Sequence, residues 1–163
     1  MHEDVADYCR RWATTGPGTG LDIGGRDLNG HPRHLWPAVR WLVLDLRPGP
    51  GVDIVADATT SQDHGVHDVV LCTEVLEHVE DWPAVVATAA RSVAAGGRLV
   101  ITCAGPGRVP HSGIEATSIQ PGEHYRNVTA QELVAAVEAV GLVVDDARQH
   151  GTDTQLAAHR QEA

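Results

Sequence analysis

Residues 21–30 read LDIGGRDLNG, a short apolar run that ends in paired glycines. The same pattern, an apolar run followed by an acid or a turn, recurs at residues 21–23, 41–44, 54–56, 69–72 and 99–102. These runs are continuous rather than alternating, which suits parallel strands covered on both faces. Helix signals lie between and after them. Asp81 can cap a helix with Pro83 in its first turn, Val85, Val86, Ala89 and Val93 on one face, and Gly96 as the stop. Thr129 with Glu132 forms a capping box ahead of Leu133, Val137 and Val140, stopped by Gly141. Residues 3–13 read as a further helix, and residues 142–144 and 155–158 as two more strands, antiparallel at the edge. Strands alternating with helices imply an α/β fold: a Rossmann-like, doubly wound, mostly parallel sheet of about seven strands with helices on both faces.

The 163 residues suffice for one domain with its own core, and no linker or repeat divides residues 1–163. With 12 Lys+Arg against 22 Asp+Glu the formal charge is −10, which leaves no broad basic face for a phosphate backbone. Double-stranded nucleic acid is therefore not an expected partner. No apolar run nears the ~20 residues that cross a bilayer, so no membrane role is expected. The opening MHEDVADYCRR carries early acids and no apolar segment, unlike a secretory signal, and a cytoplasmic location is expected. Cys9, Cys72 and Cys103 are odd in number and never in a CxxC pair, against a disulfide framework or a cysteine zinc site.

In open α/β sheets ligands bind beyond the carboxyl ends of the strands, where strand order reverses. That directs attention to Gly24 and Gly25, Asp45, Asp57, and Thr73 with Glu74. The glycines allow close backbone approach and positive φ. A phosphate-binding P-loop would need Lys, and the chain has none; the dinucleotide pattern GxGxxG is also missing, which disfavours a nicotinamide oxidoreductase. Asp45 falls about 20 residues after the glycine turn, where a carboxylate can take both ribose hydroxyls, or else it is a surface turn acid. Asp57, followed by Ala58 and Thr59, can hydrogen-bond an adenine amino group. Asp22 would be costly to bury alone, so it is expected to accept backbone N–H bonds that shape the turn, or to face a cationic ligand group.

These residues resemble the class I S-adenosylmethionine-dependent methyltransferases of the methyltransferase-11 type. LDIGG is similar to their first motif, VLDLRPGPGVDIVAD to the second and third, HDVVLCTEVLEHVEDW to the fourth-strand signature, and GGRLVITCAGP to the fifth strand. The resemblance covers roughly residues 20–145. It implies that Gly24 and Gly25 lie against the methionine part of the cofactor, that Asp45 holds the ribose and Asp57 the adenine, and that Asp22, Leu46 and Ala58 belong to the same cofactor site. It also implies that Cys72, Thr73 and Glu74 line the pocket. The pattern departs from DxGxGxG, because Arg26 follows Gly25 and the next glycine is Gly30. The segment HPRHLWPAV after it, with Pro32 and Pro37, cannot be a long regular helix.

Methyl transfer from a sulfonium is an in-line displacement, so the protein mainly aligns the acceptor, and a base is needed only if the acceptor must lose a proton. Residues 103–127 form an aperiodic stretch that offers His124 and His111 at the expected acceptor rim. Glu74, Glu77 and His78 form an ExxEH pattern that a helical turn would place on one face, where a divalent cation joined by His124 could bind. Some related methyltransferases, of the ubiquinone pathway and of small-RNA 2′-O-methylation, look similar here and use a metal. The plainer alternative, which is preferred, is that Glu74 touches the cofactor, Glu77 is solvated and His78 caps the turn. The expected function is methyl transfer from S-adenosylmethionine to O, N or C of a small-molecule acceptor. The alternative is a non-catalytic S-adenosylmethionine-binding partner or regulatory module.

Overall fold

The computed structural model describes residues 3–114 and 118–162. Its centre is a seven-stranded sheet in the order β3-β2-β1-β4-β5-β7-β6. The strands are β1 (Gly18–Ile23), β2 (Val39–Asp45), β3 (Ile54–Val55), β4 (His67–Thr73), β5 (Val93–Ala104), β6 (Val143–His150) and β7 (Asp153–His159). The first five pair in parallel, whereas β7 runs antiparallel to both β5 and β6. This is the expected mostly parallel sheet. β1 lies between β2 and β4, so the strand order reverses there.

Alternation along β4 separates two cores. Val70 and Cys72 join the cluster under α2 (Trp82–Arg91) and α3 (Ala130–Ala139), with Val85, Val86, Ala89, Leu133 and Val137. Val69 and Leu71 face the other way, against Val5, Tyr8 and Cys9 of α1 (Glu3–Arg10). The capping box of α3 is complete: Thr129 accepts from the Glu132 N–H, and the Glu132 carboxylate accepts from the Thr129 N–H. Asp81 sits at the start of α2 without a side-chain capping bond.

One expectation needs correction. The α2 helix ends at Arg91, and Val93 already pairs with His67 across a register shift that leads into the Val69–Arg98 pairing. Gly96 therefore lies inside β5, at positive φ, instead of stopping a helix. No α-helix connects β1 to β2; the Pro-bounded segment holds only a 3-10 turn at Pro32–Leu35, as its prolines require. Among the described residues no helix is long and apolar enough to cross a membrane.

Candidate functional site

The carboxyl ends of β1, β2 and β4 border two cavities, of about 180 and about 400 Å³. They share walls at Gly24, Arg26, Asp45, Glu74, His78 and Gly113. The glycine turn comes first. Gly24 has φ +73°, and a Cβ there would fall 2.2 Å from Val75 Cγ2, so only glycine fits. The N–H groups of Gly24 and Gly25 both donate to the Leu44 carbonyl, at 2.7 and 3.3 Å, which ties the turn to the end of β2.

Asp22 does not accept those backbone N–H bonds. It is 1% exposed, and its Oδ2 accepts from the guanidinium of Arg33. The backbone donors were already committed to Leu44, so the buried carboxylate required a cation instead. Burial pushes the Asp22 carboxyl up to about 6, against the downward pull of Arg33. Asp45 borders both cavities, with Oδ2 accepting from the Arg26 N–H (3.2 Å) and Oδ1 from the Arg47 N–H (2.9 Å). Those contacts orient the carboxylate at the strand end. Leu46, 64% exposed, and Ala58 line the larger cavity together with Asp57, whose Oδ1 accepts from the Thr59 N–H and hydroxyl.

Thr73 and Glu74 line the smaller cavity, but Cys72 lines neither. Its side chain is fully buried on the α2–α3 face of β4, and burial pushes its thiol up. The expected grouping of Glu74, Glu77 and His78 on one helical face also fails. Glu74 sits at φ +57° ahead of a 3-10 turn at Leu76–His78, and its carboxylate accepts from the Thr102 hydroxyl (3.1 Å) and from Arg108 (3.3 Å). The sequence spacing presumed a continuous helix, and the left-handed residue breaks it. Glu77 is not solvated: it is 0% exposed, and Oε1 accepts from the Ala104 N–H (3.1 Å). Burial, with Glu74 nearby, holds its carboxyl well above the usual carboxylate range.

The loop after β5 supplies what the sequence left unpaired. His111 stands edge-on to His78 (centroids 5.0 Å) and to Tyr125 (5.1 Å), and its Nδ1 donates to the Val109 carbonyl (3.2 Å). Burial first, then the neighbouring His111, lowers His78 to about 4, so it is neutral at pH 7. Glu77, His78 and His111 each offer a ligand atom within 4.8 Å of the others. His124 lines the larger cavity beside Gly122 and Glu123, apart from the smaller one. Gly122 itself turns at φ +90°. Ser112 and Glu123 cross-link the loop at 2.7 Å, and Arg26 Nη2 donates to the Ile114 carbonyl at 3.1 Å.

A family model described as a methyltransferase domain matches residues 2–147. No curated protein sequence matches significantly. Among solved structures, the chain is similar to 1,6-didemethyltoxoflavin-N1-methyltransferase of Burkholderia thailandensis, solved with 1,6-didemethyltoxoflavin and S-adenosylhomocysteine. The TM-score is 0.69 at 14% identity, over 98% of this chain and 78% of that one. An O-methyltransferase family protein of the same organism gives 0.68 at 17%, over 99% of this chain and only 55% of its own length. The [4+2]-cyclase SpnF gives 0.72 at 15%, over 98% and 82%. At such identities the likeness is one of fold, which hosts a cyclase as well as methyltransferases.

Proposed function

The chain belongs to the methyltransferase-domain family, and from that membership we propose that residues 1–163 form a single catalytic domain that transfers a methyl group from S-adenosylmethionine to a small-molecule acceptor. The observation that carries this reading is the joined pair of cavities at the strand-order reversal, with Asp45 on their shared wall. Asp45 would take the ribose hydroxyls, Asp57 the adenine amino group, and Leu46 with Ala58 the apolar faces of the base. Gly24 and Gly25 would lie against the methionine part, since neither position has room for a side chain. S-adenosylmethionine supplies, when bound, a methyl already activated on a sulfonium.

What is left to the protein is alignment and, for an acceptor that must lose a proton, a base. His111 fits that task better than His124. It borders the smaller cavity, and with Nδ1–H donated to Val109 its Nε2 carries the free lone pair. His78 beside it is neutral at pH 7. The acceptor atom, O, N or C, follows from the acceptor and not from these groups. The methyltransferase-11 likeness of residues 67–82 and a cytoplasmic location, in keeping with three free buried cysteines, belong to the same proposal.

A second reading is favoured by one cluster. Glu77 Oε2 and His78 Nδ1 are buried without a hydrogen-bond partner, and with His111 they make a two-histidine, one-carboxylate donor set suited to a divalent ion. The test of both readings is direct. Purified protein incubated with S-adenosylmethionine and a panel of small hydroxyl, amine and carbon acceptors is expected to form S-adenosylhomocysteine. Binding without product across the panel would move the chain to the non-catalytic module. Calorimetry with millimolar Mg²⁺, Mn²⁺ or Zn²⁺ and cofactor present would remove the metal if no heat appears.

A further inference from the structure

Arg33 is the most deeply placed cation near the glycine turn. Its segment lies between prolines: His31 is extended, Pro32 opens the 3-10 turn, and Arg33 is carried beneath the end of β1. The Arg33 side chain is 9% exposed and meets an Asp22 side chain that is 2% exposed. One nitrogen, Nη1, donates both to Asp22 Oδ2 and to the Gly25 carbonyl, the latter at 2.8 Å. A Cβ on Gly25 would stand 2.5 Å from Asp22 Oδ2 and 2.7 Å from Arg33 Nη1, so the turn is seated directly on the ion pair.

The pair leaves one atom over. Asp22 Oδ1 is buried with no hydrogen-bond partner, and Asp22 borders the smaller cavity. A buried carboxylate oxygen without a donor is costly unless a ligand supplies one. Because Oδ2 is tied to a guanidinium that is itself tied to Gly25, the other oxygen is held in one place relative to the turn. Arg26 and Asp45 border the same cavity, so a group carrying both signs of charge has partners of both signs there.

We propose that Arg33 is a positioning residue for the amino-acid end of the ligand: it locks Asp22 against the glycine turn so that Oδ1 accepts a hydrogen bond from the ligand's ammonium. The inference rests on the reading that these cavities take S-adenosylmethionine and its product. It makes the site selective for a thioether nucleoside with an ammonium-bearing tail over the same nucleoside without one.

The experiment is calorimetry with two ligands, S-adenosylhomocysteine and 5′-methylthioadenosine, which share nucleoside and thioether but differ in the amino-acid tail. Arg33→Lys keeps the charge but loses the fork that bridges Asp22 and Gly25. The double variant Asp22→Asn with Arg33→Met replaces the ion pair by neutral groups, which guards against misfolding from an orphaned charge. Both are checked for native circular dichroism and thermal transition. In the double variant S-adenosylhomocysteine is expected to bind about tenfold or more weaker, with 5′-methylthioadenosine changed by less than about twofold. Arg33→Lys is expected to fall between the wild type and the double variant. Equal weakening of both ligands would overturn the proposal in favour of a purely structural ion pair, as would unchanged affinity for S-adenosylhomocysteine. A wild type that binds neither ligand would instead defeat the cofactor reading, and this inference with it.

Discussion

The two halves of the sheet are stabilised by different means. On one side β4, β5 and β7 carry α2 and α3, and Val85, Val86, Leu133 and Val137 are at most 1% exposed within a continuous apolar cluster. On the other side no α-helix lies among residues 18–66, and the connections between β1, β2, β3 and β4 are turns and loops. Carboxylates do the joining there. Asp53 exchanges bonds with the Val43 backbone (2.8 and 2.9 Å), Asp45 accepts from Arg26 and Arg47, Asp68 from the Thr19 N–H (2.7 Å), and Asp22 pairs with Arg33. The packed half is fixed by burial, which is indifferent to the ligand. The polar half is fixed by hydrogen bonds and glycine geometry at the edge of the cavities, so its order and its binding capacity depend on the same groups.

That contrast can be broken by mutation. Leu133→Ala, in the packed half, is expected to cost about 2–5 kcal/mol in urea unfolding, while the protein that remains folded keeps its affinity for S-adenosylhomocysteine. A parallel loss of affinity would show that the halves are not separable. Gly25→Ala is expected to do the reverse in proportion: about 1–3 kcal/mol of stability, through displacement of the Asp22–Arg33 pair, with ligand binding lost in calorimetry. Thr129→Ala removes the capping box of α3 and should cost about 1 kcal/mol by thermal or urea unfolding, with affinity unchanged.

The smallest effect concerns pH. His78 titrates near 4 in the folded protein against an ordinary 6.5, so its contribution to stability is present above pH 6.5 and is lost as pH falls through 4. Asp22 and Glu77, both raised, act with the opposite sign. The comparison must therefore be made between variants: His78→Phe keeps a ring against His111 and Tyr125 but should lose less stability than the wild type between pH 6.5 and 4. Identical pH profiles would count against the burial of a neutral His78.

The packed half was the more legible one in the sequence. Thr129 and Glu132 announce α3 there, while in both halves the apolar runs that precede Gly24, Asp45, Asp57 and Thr73 mark the strand ends, because burial on both faces imposes continuous apolar stretches. The polar half resisted reading for physical reasons. Arg33, set between prolines, looks like a solvated turn residue; only the fold brings it against Asp22. Glu74 breaks the ExxEH spacing by its positive φ, and His111 joins His78 from 33 residues away through a loop with no periodicity. Gly96 reads as a helix stop because a bulged strand start and a helix end can use the same residue. A lone buried acid in a strand needs a cation, and Arg26 and Arg33 are the near ones in sequence.

The most direct test of the account is calorimetric titration of S-adenosylhomocysteine into the wild type and Asp45→Ala. One site per chain is expected in the wild type, with affinity reduced by about 1–3 kcal/mol in the variant, because the ribose hydroxyls lose a charged acceptor. A wild type that does not bind, or an Asp45→Ala variant that binds equally well, would contradict the placement of the cofactor across the two cavities.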